Sequence, residues 1–226
     1  MCTNFRPSEK RIIYERFKVE APDRDESQEV YPARLAPIIR LKPGGKPDEL
    51  ECVAANFGLM TPWSKEQQDF RKYNNARTET VGDKNTYKHA WHNRQLGLAL
   101  MSCFYEPRYT PDGKTSNRWR IERVDKQDFA VAAIWEHRWF EPQPEFSFSL
   151  LTINADKHEL MGQFHQPDDE KRSLVVVPAD QYLEWLKADT EVARSFFSLS
   201  PMADFTSYEA PAPRRKSKGE KNLDLF

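Results

Sequence analysis

Apolar and polar positions along this chain fall into short runs rather than long helical patterns. Seven runs combine apolar alternation with β-branched or aromatic residues and are bounded by turn residues, which predicts β-strands. The predicted strands are Ala36–Leu41, Glu49–Phe57, Leu98–Tyr105, Trp119–Arg123, Phe129–Trp135, Phe146–Asn154 and Ser173–Val177. Many strands at short spacing with few helices predict an α+β fold, a curved, largely antiparallel sheet or open β-barrel with flanking helices.

Three stretches show helical spacing instead. Ser8 is placed to cap the first helix, Tyr87–Gln95 forms the second, and Pro178 opens the third at a position that proline favours. The apolar positions predicted to face the core are Ile12, Ile13 and Phe17 in the first helix, and Tyr182, Leu183 and Leu186 in the third.

Length and composition indicate one globular domain followed by a polar tail. Of the 226 residues, 38% are hydrophobic and 12% aromatic, which is enough to bury a sizeable core. From about Tyr208 the composition changes to Pro, Ala, Ser, Lys and Arg, which cannot form a core. The sequence therefore predicts a single domain over 2–207 and a disordered basic tail over 208–226.

Charge and cysteine content narrow the classes of function. The net charge is −1 and the isoelectric point about 6.5, so binding to nucleic acid would use a local basic patch. No apolar run reaches the roughly 20 residues of a membrane span, and the three cysteines lack metal-ligand spacing. We expect a reduced, cytoplasmic monomer without a metal, cofactor or membrane partner. Cys52 and Cys103 lie in apolar runs and are predicted to be small core residues.

Cys2 is the candidate nucleophile. Because an initiator methionine is normally removed when a small residue follows, we expect the mature chain to begin at Cys2. That residue would then carry an amine that titrates near pH ~7.7–8.0 and a thiol that titrates near ~8.5, both partly nucleophilic at neutral pH. An amine beside a thiol captures an aldehyde, because the amine forms a Schiff base and the sulfur closes on the imine carbon to give a thiazolidine.

Three other polar features stand outside the core pattern. The dense polar run Asn74–Thr80 separates Tyr73 from Val81. Glu106 ends an apolar strand just before a proline, and burial in an apolar cleft would raise its pKa and make it a proton shuttle. His165 lies in a predicted loop, where an imidazole can titrate near neutrality.

Several of these features occur in a fixed order along the chain. They are Cys2, Asn75–Thr80 with the pattern Asn-Ala-Arg-x-Glu-Thr, Phe104–Pro107, and His165 ahead of a valine-rich strand and Pro178. This order resembles the SOS-response-associated peptidase (SRAP) family. Tyr31–Pro37 and Phe57–Trp63 are similar to the family's Tyr-Asn-x-x-Pro and Trp-Gly-x-x-Pro-x-Trp segments. The resemblance covers roughly Cys2–Leu186, most of the chain.

The resemblance implies a protein that crosslinks covalently to abasic sites in single-stranded or junction DNA, with a nucleoid association when bound. Glu106 would open the sugar of the abasic site, and the Cys2 amine and thiol would capture the aldehyde. Asn75 would orient the reacting groups, and His165 would shuttle protons. The expected DNA contacts are Arg77 on a flanking phosphate, Trp63 stacked on an unpaired base, and Thr152 and Arg6.

The chain departs from the family pattern in three places. Thr3 and Asn4 follow Cys2 where the family usually has Gly-Arg, so a DNA-contacting arginine is missing, and Arg6 is expected to replace it in part. The usual His-x-Arg-Met-Pro segment is an altered, longer loop that begins at His165. The family's late Val-x-Asn motif is not recognisable. We therefore predict a divergent member with altered DNA affinity and substrate range.

Two other functions stay open on the sequence alone. Cys2 could be the nucleophile of a peptidase, with its own amine as base and Met1 removed by self-processing. The chain could instead be a non-catalytic module that binds single-stranded DNA. Incubation with abasic single-stranded DNA separates the three functions, which predict a covalent adduct, peptide cleavage and reversible binding alone, respectively.

Overall fold

The computed structural model describes residues 2–24, 26, 28–61, 63, 71–140 and 143–212. Its strands are β1 Phe5–Pro7, β2 Leu35–Leu41, β3 Leu50–Phe57, β4 Asn75–Arg77, β5 Leu96–Tyr109, β6 Ser116–Arg123, β7 Phe129–Phe140, β8 Gln143–Asn154, β9 Arg172–Leu174, β10 Val176–Val177 and β11 Phe205–Glu209. Its helices are α1 Lys10–Phe17, α2 Lys88–His92, α3 Tyr182–Lys187 and α4 Thr190–Ser195. None of the helices in this part of the chain is long and apolar enough to cross a membrane.

Five strands close into a barrel. β2 pairs with β3 and β5, β5 pairs with β7, β7 pairs with β8, and β8 returns to β3. These pairs are antiparallel except for β3 and β8, which run parallel. The predicted α+β fold with a curved, largely antiparallel sheet is confirmed, and the sheet closes on itself.

The long strand β5 positions the reactive end because it has two sets of neighbours. Leu96–Met101 pairs with β7, and Phe104–Tyr109 pairs with β6. On the opposite edge of β5, β2 is followed by β1, in which Phe5 pairs with Phe104 in antiparallel register. The residues before Phe5 therefore run along β5 toward Glu106.

Strand alternation divides the core into an inner and an outer part. Inside the barrel, Phe57 packs against Phe5 and Phe148 with ring centroids 5.2 Å apart in each pair. Outside it, the helices bury Trp91 and Trp185, and the Trp185 indole donates a hydrogen bond to the Gly97 carbonyl at 2.9 Å. Each such fully buried side chain contributes roughly 1.5–3 kcal/mol to stability.

The helices differ from the predictions at their ends. The predicted Ser8 cap is wrong, because α1 begins after Glu9 and the buried Ser8 instead donates its N–H to the Leu100 carbonyl at 3.0 Å. Pro178 precedes a 3-10 turn, and α3 begins only at Tyr182. Residues three and four positions after Tyr182, which are Trp185 and Leu186, lie on the inner face of α3. Leu183 therefore faces solvent, at 38% exposure, instead of the core.

Two smaller predictions also change. Cys103 is buried as predicted, but Cys52 is only partly buried on the outer side of β3. β11 pairs with β6 through Glu209, and the Ala210 N–H bonds the Arg118 carbonyl, so regular structure passes the predicted boundary at 207. The rest of the predicted tail, 213–226, lies outside the described residues.

Candidate active site

The N-terminal arm is fixed to the barrel by backbone bonds just behind Cys2. Phe5 and Val30 exchange N–H and carbonyl groups at 3.2 and 2.8 Å. The Tyr105 N–H then donates to the Asn4 carbonyl at 2.9 Å. This ladder brings Cys2 to the end of β5 that carries Glu106.

Amide side chains from the polar run hold the backbone of Cys2. The Cys2 carbonyl accepts hydrogen bonds from Asn75 Nδ2 at 2.7 Å and from Asn74 Nδ2 at 3.2 Å. Asn75 is held in place because β4 pairs in parallel with β8, where Asn75 is opposite Leu150. Its Oδ1 atom is buried and has no hydrogen-bond partner among the described residues.

The Cys2 side chain is almost fully buried, at 1% exposure, and its Sγ lies 3.5 Å from the Asn4 carbonyl. Burial raises the pKa of the Cys2 thiol far above its usual range, and the negative charge of Glu106 adds to the shift. The expectation of a partly ionised thiol is therefore wrong for this environment, since the sulfur is held as a neutral thiol beside Glu106.

Glu106 and His165 form a buried pair next to Cys2. Glu106 Oε2 and His165 Nδ1 are 3.4 Å apart, and the two side chains are 3% and 7% exposed. Burial raises the pKa of Glu106 to about 7. Burial also lowers the pKa of His165 to about 4, so at neutral pH the imidazole is uncharged and the contact is not an ion pair. A carboxyl group that titrates near pH 7 can both donate and accept a proton.

The backbone at His165 has an unusual conformation and is bonded to β5. His165 has φ +67, a left-handed conformation that costs a non-glycine residue on the order of 1 kcal/mol. Its N–H donates to the Pro107 carbonyl at 2.9 Å, and it forms an isolated bridge with Arg108. The loop is thus tied directly to the end of β5, one residue past Glu106.

The four predicted DNA-contacting residues lie in different surroundings. Arg77 is half-exposed at the end of β4, and Trp63 is 53% exposed. Arg6 points into a separate pocket with Glu9 and Asp128, away from the residues around Cys2. The remaining one, Thr152, is buried.

Thr152 is inside the protein because it lies on β8 under β4. It is 1% exposed, and its hydroxyl donates to the Ala76 carbonyl at 3.4 Å. The guanidinium of Arg172 covers it from the other side, with Nη2 2.5 Å from the Thr152 carbonyl. Arg172, which sequence reasoning missed, is 2% exposed and also binds both carboxylate oxygens of Glu79 at 2.9 and 2.8 Å. It thereby fastens the polar run to β9.

Arg118 is a second missed residue, and it anchors the arm that carries Cys2. Its Nη2 donates to Asn4 Oδ1 and to Glu29 Oε2, both at 2.6 Å. Its guanidinium carbon also lies 3.4 Å from the ring centroid of Tyr105. Asn4, which stands where the family usually has an arginine, thus turns inward to Arg118. Neither contact has a local signal, since Asn4 and Arg118 are 114 positions apart in sequence.

The arrangement can carry out proton transfer beside an N-terminal nucleophile. It pairs a neutral thiol with a carboxyl group and an imidazole, and it offers an unpaired amide oxygen for a further donor. No group of three or more His, Cys, Asp or Glu side chains within the described residues could hold a metal ion.

Comparisons with solved structures identify the fold. A protein from Bordetella bronchiseptica superposes with a TM-score of 0.82 at 22% identity, covering 93% of this chain and all of that one. A protein from Bacteroides thetaiotaomicron superposes with a TM-score of 0.76 at 18% identity, covering 92% of this chain and 91% of that one.

Sequence comparisons find relatives and the family. The abasic site processing protein YoqW of Bacillus subtilis is 26% identical over 156 residues, 68% of this chain and 66% of that protein, slightly under two thirds of its length. The abasic site processing protein YoaM of the same organism is 28% identical over 130 residues, 58% of this chain and 54% of that protein. Residues 1–211 match the SOS response associated peptidase (SRAP) family, and the chain belongs to that family.

Proposed function

We propose that this protein processes abasic sites in single-stranded DNA by linking to them covalently through Cys2 once Met1 has been removed. The observation that carries the proposal is the meeting, in one buried site, of the Cys2 backbone, the Asn75 amide and the Glu106–His165 pair. The names of the Bacillus relatives give independent support. The protein would act as a shield for the lesion on the nucleoid, with slow turnover or none.

The first step is the opening of the abasic sugar. Its closed form is a hemiacetal, so opening requires removal of the proton on the C1′ hydroxyl and protonation of the ring oxygen, which yields the C1′ aldehyde and a C4′ hydroxyl. Glu106 suits both transfers because burial raises its pKa to about 7. A positioned proton donor or acceptor contributes roughly 10²–10⁴-fold to such a step.

The second step joins the protein to the aldehyde. The Cys2 amine adds to C1′ to give a carbinolamine, which loses one water molecule to form an imine. The thiol then adds across the C=N bond: sulfur bonds to carbon, and the thiol proton passes to nitrogen to give a thiazolidine. Because the thiol is neutral, its proton leaves as the C–S bond forms. Glu106, whose charge raises the pKa of this thiol, can relay that proton to the nitrogen.

Asn75 and His165 have separate roles in this scheme. Asn75 Nδ2 holds the Cys2 carbonyl, and its buried, unpaired Oδ1 is the acceptor for an N–H of the attacking amine or of the carbinolamine. The neutral imidazole of His165 exchanges protons with Glu106, which supports water loss and the reverse reaction. Arg77 and Trp63, both exposed, would contact the strand that flanks the lesion.

The peptidase alternative fits this site less well. A thiolate must attack the peptide carbonyl, and burial raises the pKa of the Cys2 thiol so that little thiolate exists at neutral pH. Thiazolidine closure has no such requirement, because the thiol proton is transferred during ring closure. The site therefore favours capture of an aldehyde over peptide hydrolysis.

The direct test is intact mass measurement after the protein is mixed with an abasic oligonucleotide. The expected product is the protein without Met1 plus the oligonucleotide less one water molecule. Its matched control is the same oligonucleotide with a tetrahydrofuran abasic analogue, which has no aldehyde and should give no adduct. Cleavage of a peptide substrate without any adduct would support the peptidase, and reversible binding alone would support a DNA-binding module.

A further inference from the structure

The carboxylate of Glu170 lies in a cradle of three donors, which we define as Arg77, Asn154 and Arg172. Glu170 Oε2 accepts from Arg77 Nη1 at 2.6 Å. Its Oε1 accepts from Arg172 Nη1 at 2.7 Å and from Asn154 Nδ2 at 3.0 Å. The hydrogen bond from Asn154, followed by that from Arg172, holds the pKa of Glu170 below its usual range, so the occupant of the cradle is an anion.

The cradle lies close to the reactive site along β4. Asn75, which holds Cys2, and Arg77 are two residues apart on this strand, so their side chains share a face and their Cα atoms are ~7 Å apart. Glu170 belongs to the loop that begins at His165, the segment in which this chain departs from the family pattern. The cradle is thus linked to the proposed active site twice, through β4, which carries Asn75 and Arg77, and through the loop from His165 to Glu170.

The donors of the cradle match a phosphate at least as well as a carboxylate. Two guanidinium groups and an amide present planar N–H donors, and guanidinium groups bind phosphate and carboxylate oxygens in the same geometry. The Arg77–Glu170 pair is 50% and 33% exposed, and pairs this exposed are weak, so this contact is lost at little cost. The contacts of Glu170 with the buried Arg172 and with Asn154 are replaced by those of the entering phosphate. Arg172 keeps both bonds to Glu79 when Glu170 leaves, so its buried charge stays paired.

We propose that the Arg77–Asn154–Arg172 cradle is a binding site for a backbone phosphate of the DNA strand, and that Glu170 occupies it in the free protein as an internal competitor. This inference rests on the proposed function, because it assumes that a DNA strand crosses the site. A phosphate that enters displaces the Glu170 carboxylate toward solvent. Because the Glu170 carboxylate competes with the phosphate, it lowers the affinity of the protein for every DNA strand. Undamaged DNA is then released more readily, since no covalent bond retains it.

The test is the affinity for an undamaged single-stranded oligonucleotide, measured by fluorescence anisotropy at several salt concentrations. Glu170→Gln should bind about two- to fivefold more tightly than the parent, because removal of a surface ion pair frees Arg77 for a phosphate. The plot of log affinity against log salt should steepen by up to ~0.7, the value for one added phosphate contact on a single strand.

Asp168→Asn is the matched control. It removes the same charge from the same exposed loop, and within the described residues Asp168 makes no hydrogen bond or ion pair with the cradle. It should raise affinity less than twofold. Equal gains in the two variants would mean a general charge effect and would overturn the proposal, as would an unchanged or weaker affinity of Glu170→Gln.

A double variant separates the cradle from other causes. In an Arg77→Gln background the gain from Glu170→Gln should disappear, and a gain of the same size there would also overturn the proposal. A melting temperature equal to that of the parent shows that each variant is folded. Because undamaged DNA cannot crosslink, the outcome is independent of the adduct test. A parent protein that forms no adduct but shows the Glu170→Gln gain would refute the proposed function and leave the phosphate site standing.

Discussion

The barrel buries ionisable groups at both ends, and their charge states differ between the two ends. At one end Arg40 lies between the rings of Trp135 and Phe146, 4.2 and 4.3 Å from their centroids, and pairs with Glu51 at 2.7 Å. At the other end lies the pair of Glu106 and His165. Arg40 is opposite Gly97 in the sheet, nine residues before Glu106 on β5, a separation of up to about 30 Å.

The difference between the ends is whether the buried groups stay charged near neutral pH. Arg40 stays charged, since a guanidinium does not lose its proton in proteins, and Glu51 and the two aromatic faces offset part of its desolvation. Burial instead moves the pKa of Glu106 up to about 7 and that of His165 down to about 4, toward their neutral forms. The Arg40–Glu51 pair is structural, whereas the Glu106–His165 pair can transfer protons near neutral pH.

The largest effect that can break this comparison is expected at Cys2. Cys2→Ala should abolish the heat-stable adduct with an abasic oligonucleotide, because the alanine amine can form an imine but has no sulfur to close the ring. A borohydride-trappable imine should remain, and a denaturing gel detects both species. Cys103→Ala is the control, since it removes a buried thiol from β5. It should lower the melting temperature and leave the adduct intact, whereas a heat-stable Cys2→Ala adduct would refute thiazolidine formation.

The two ends can be compared directly by the same substitution. Glu106→Gln should slow adduct formation by roughly 10²–10⁴-fold, because it removes the proton acceptor and keeps the shape of the side chain. Glu51→Gln should leave that rate unchanged and reduce the free energy of unfolding by about 1–3 kcal/mol, because it weakens the partner of the buried Arg40. Rates come from quenched time courses and stabilities from urea unfolding. Equal rate losses in the two variants would show that Glu106 acts through stability alone.

The sequence predicts the barrel well because its strands are local patterns. Apolar alternation locates the long strands, and the turn residues between β2 and β3 mark their hairpin. The short strands β1 and β4 have three residues each, too few for a periodic signal. These are the strands that build the site, since β1 carries the arm and β4 carries Asn75.

The site residues were found by family motif, whereas their geometry came from contacts between distant segments. Asn75 holds the carbonyl of Cys2 across 73 positions of sequence, and Arg118 reaches Asn4 across 114. Thr152 shows the limit of the motif: the resemblance implies a DNA contact for this residue, but β4 covers it. Burial, which sets the pKa of Glu106 and of His165, depends on the whole fold and has no local signature.

The pH dependence of stability sharpens the comparison because the pKa values of Glu106 and His165 shift in opposite directions. Folding raises the pKa of Glu106 from 4.5 to about 7, so the folded state binds more protons and stability falls as pH rises through this window. Folding lowers the pKa of His165 from 6.5 to about 4, so the unfolded state binds more protons and stability rises with pH through that window. Each effect amounts to about 3 kcal/mol at most, and between pH 4.5 and 6.5 they oppose each other.

Single variants should uncover each contribution. As the pH rises from 4.5 to 6.5, the free energy of unfolding of Glu106→Gln should increase more than that of the parent, because only the rising contribution of His165 remains. Over the same interval the free energy of unfolding of His165→Gln should decrease relative to the parent, because only the falling contribution of Glu106 remains. Urea unfolding at pH 4.5 and at pH 6.5 measures how the free energy of unfolding of each variant changes with pH. Parallel profiles for the parent and both variants would mean that neither group titrates as its burial requires.

The smallest effect is expected at Arg118, which positions the reactive end without touching the reacting atoms. Arg118→Lys keeps the charge but replaces a planar fork by a single ammonium, which cannot bind Asn4 and Glu29 and stack on Tyr105 together. The arm should loosen, and adduct formation should slow by about tenfold with unchanged affinity for undamaged DNA. Hydrogen exchange should rise at the Tyr105 amide, which donates to Asn4. Arg120→Lys, on the same strand but paired with Glu122, is the control and should change neither. A slower reaction without faster exchange at Tyr105 would show that Arg118 acts by some route other than the arm.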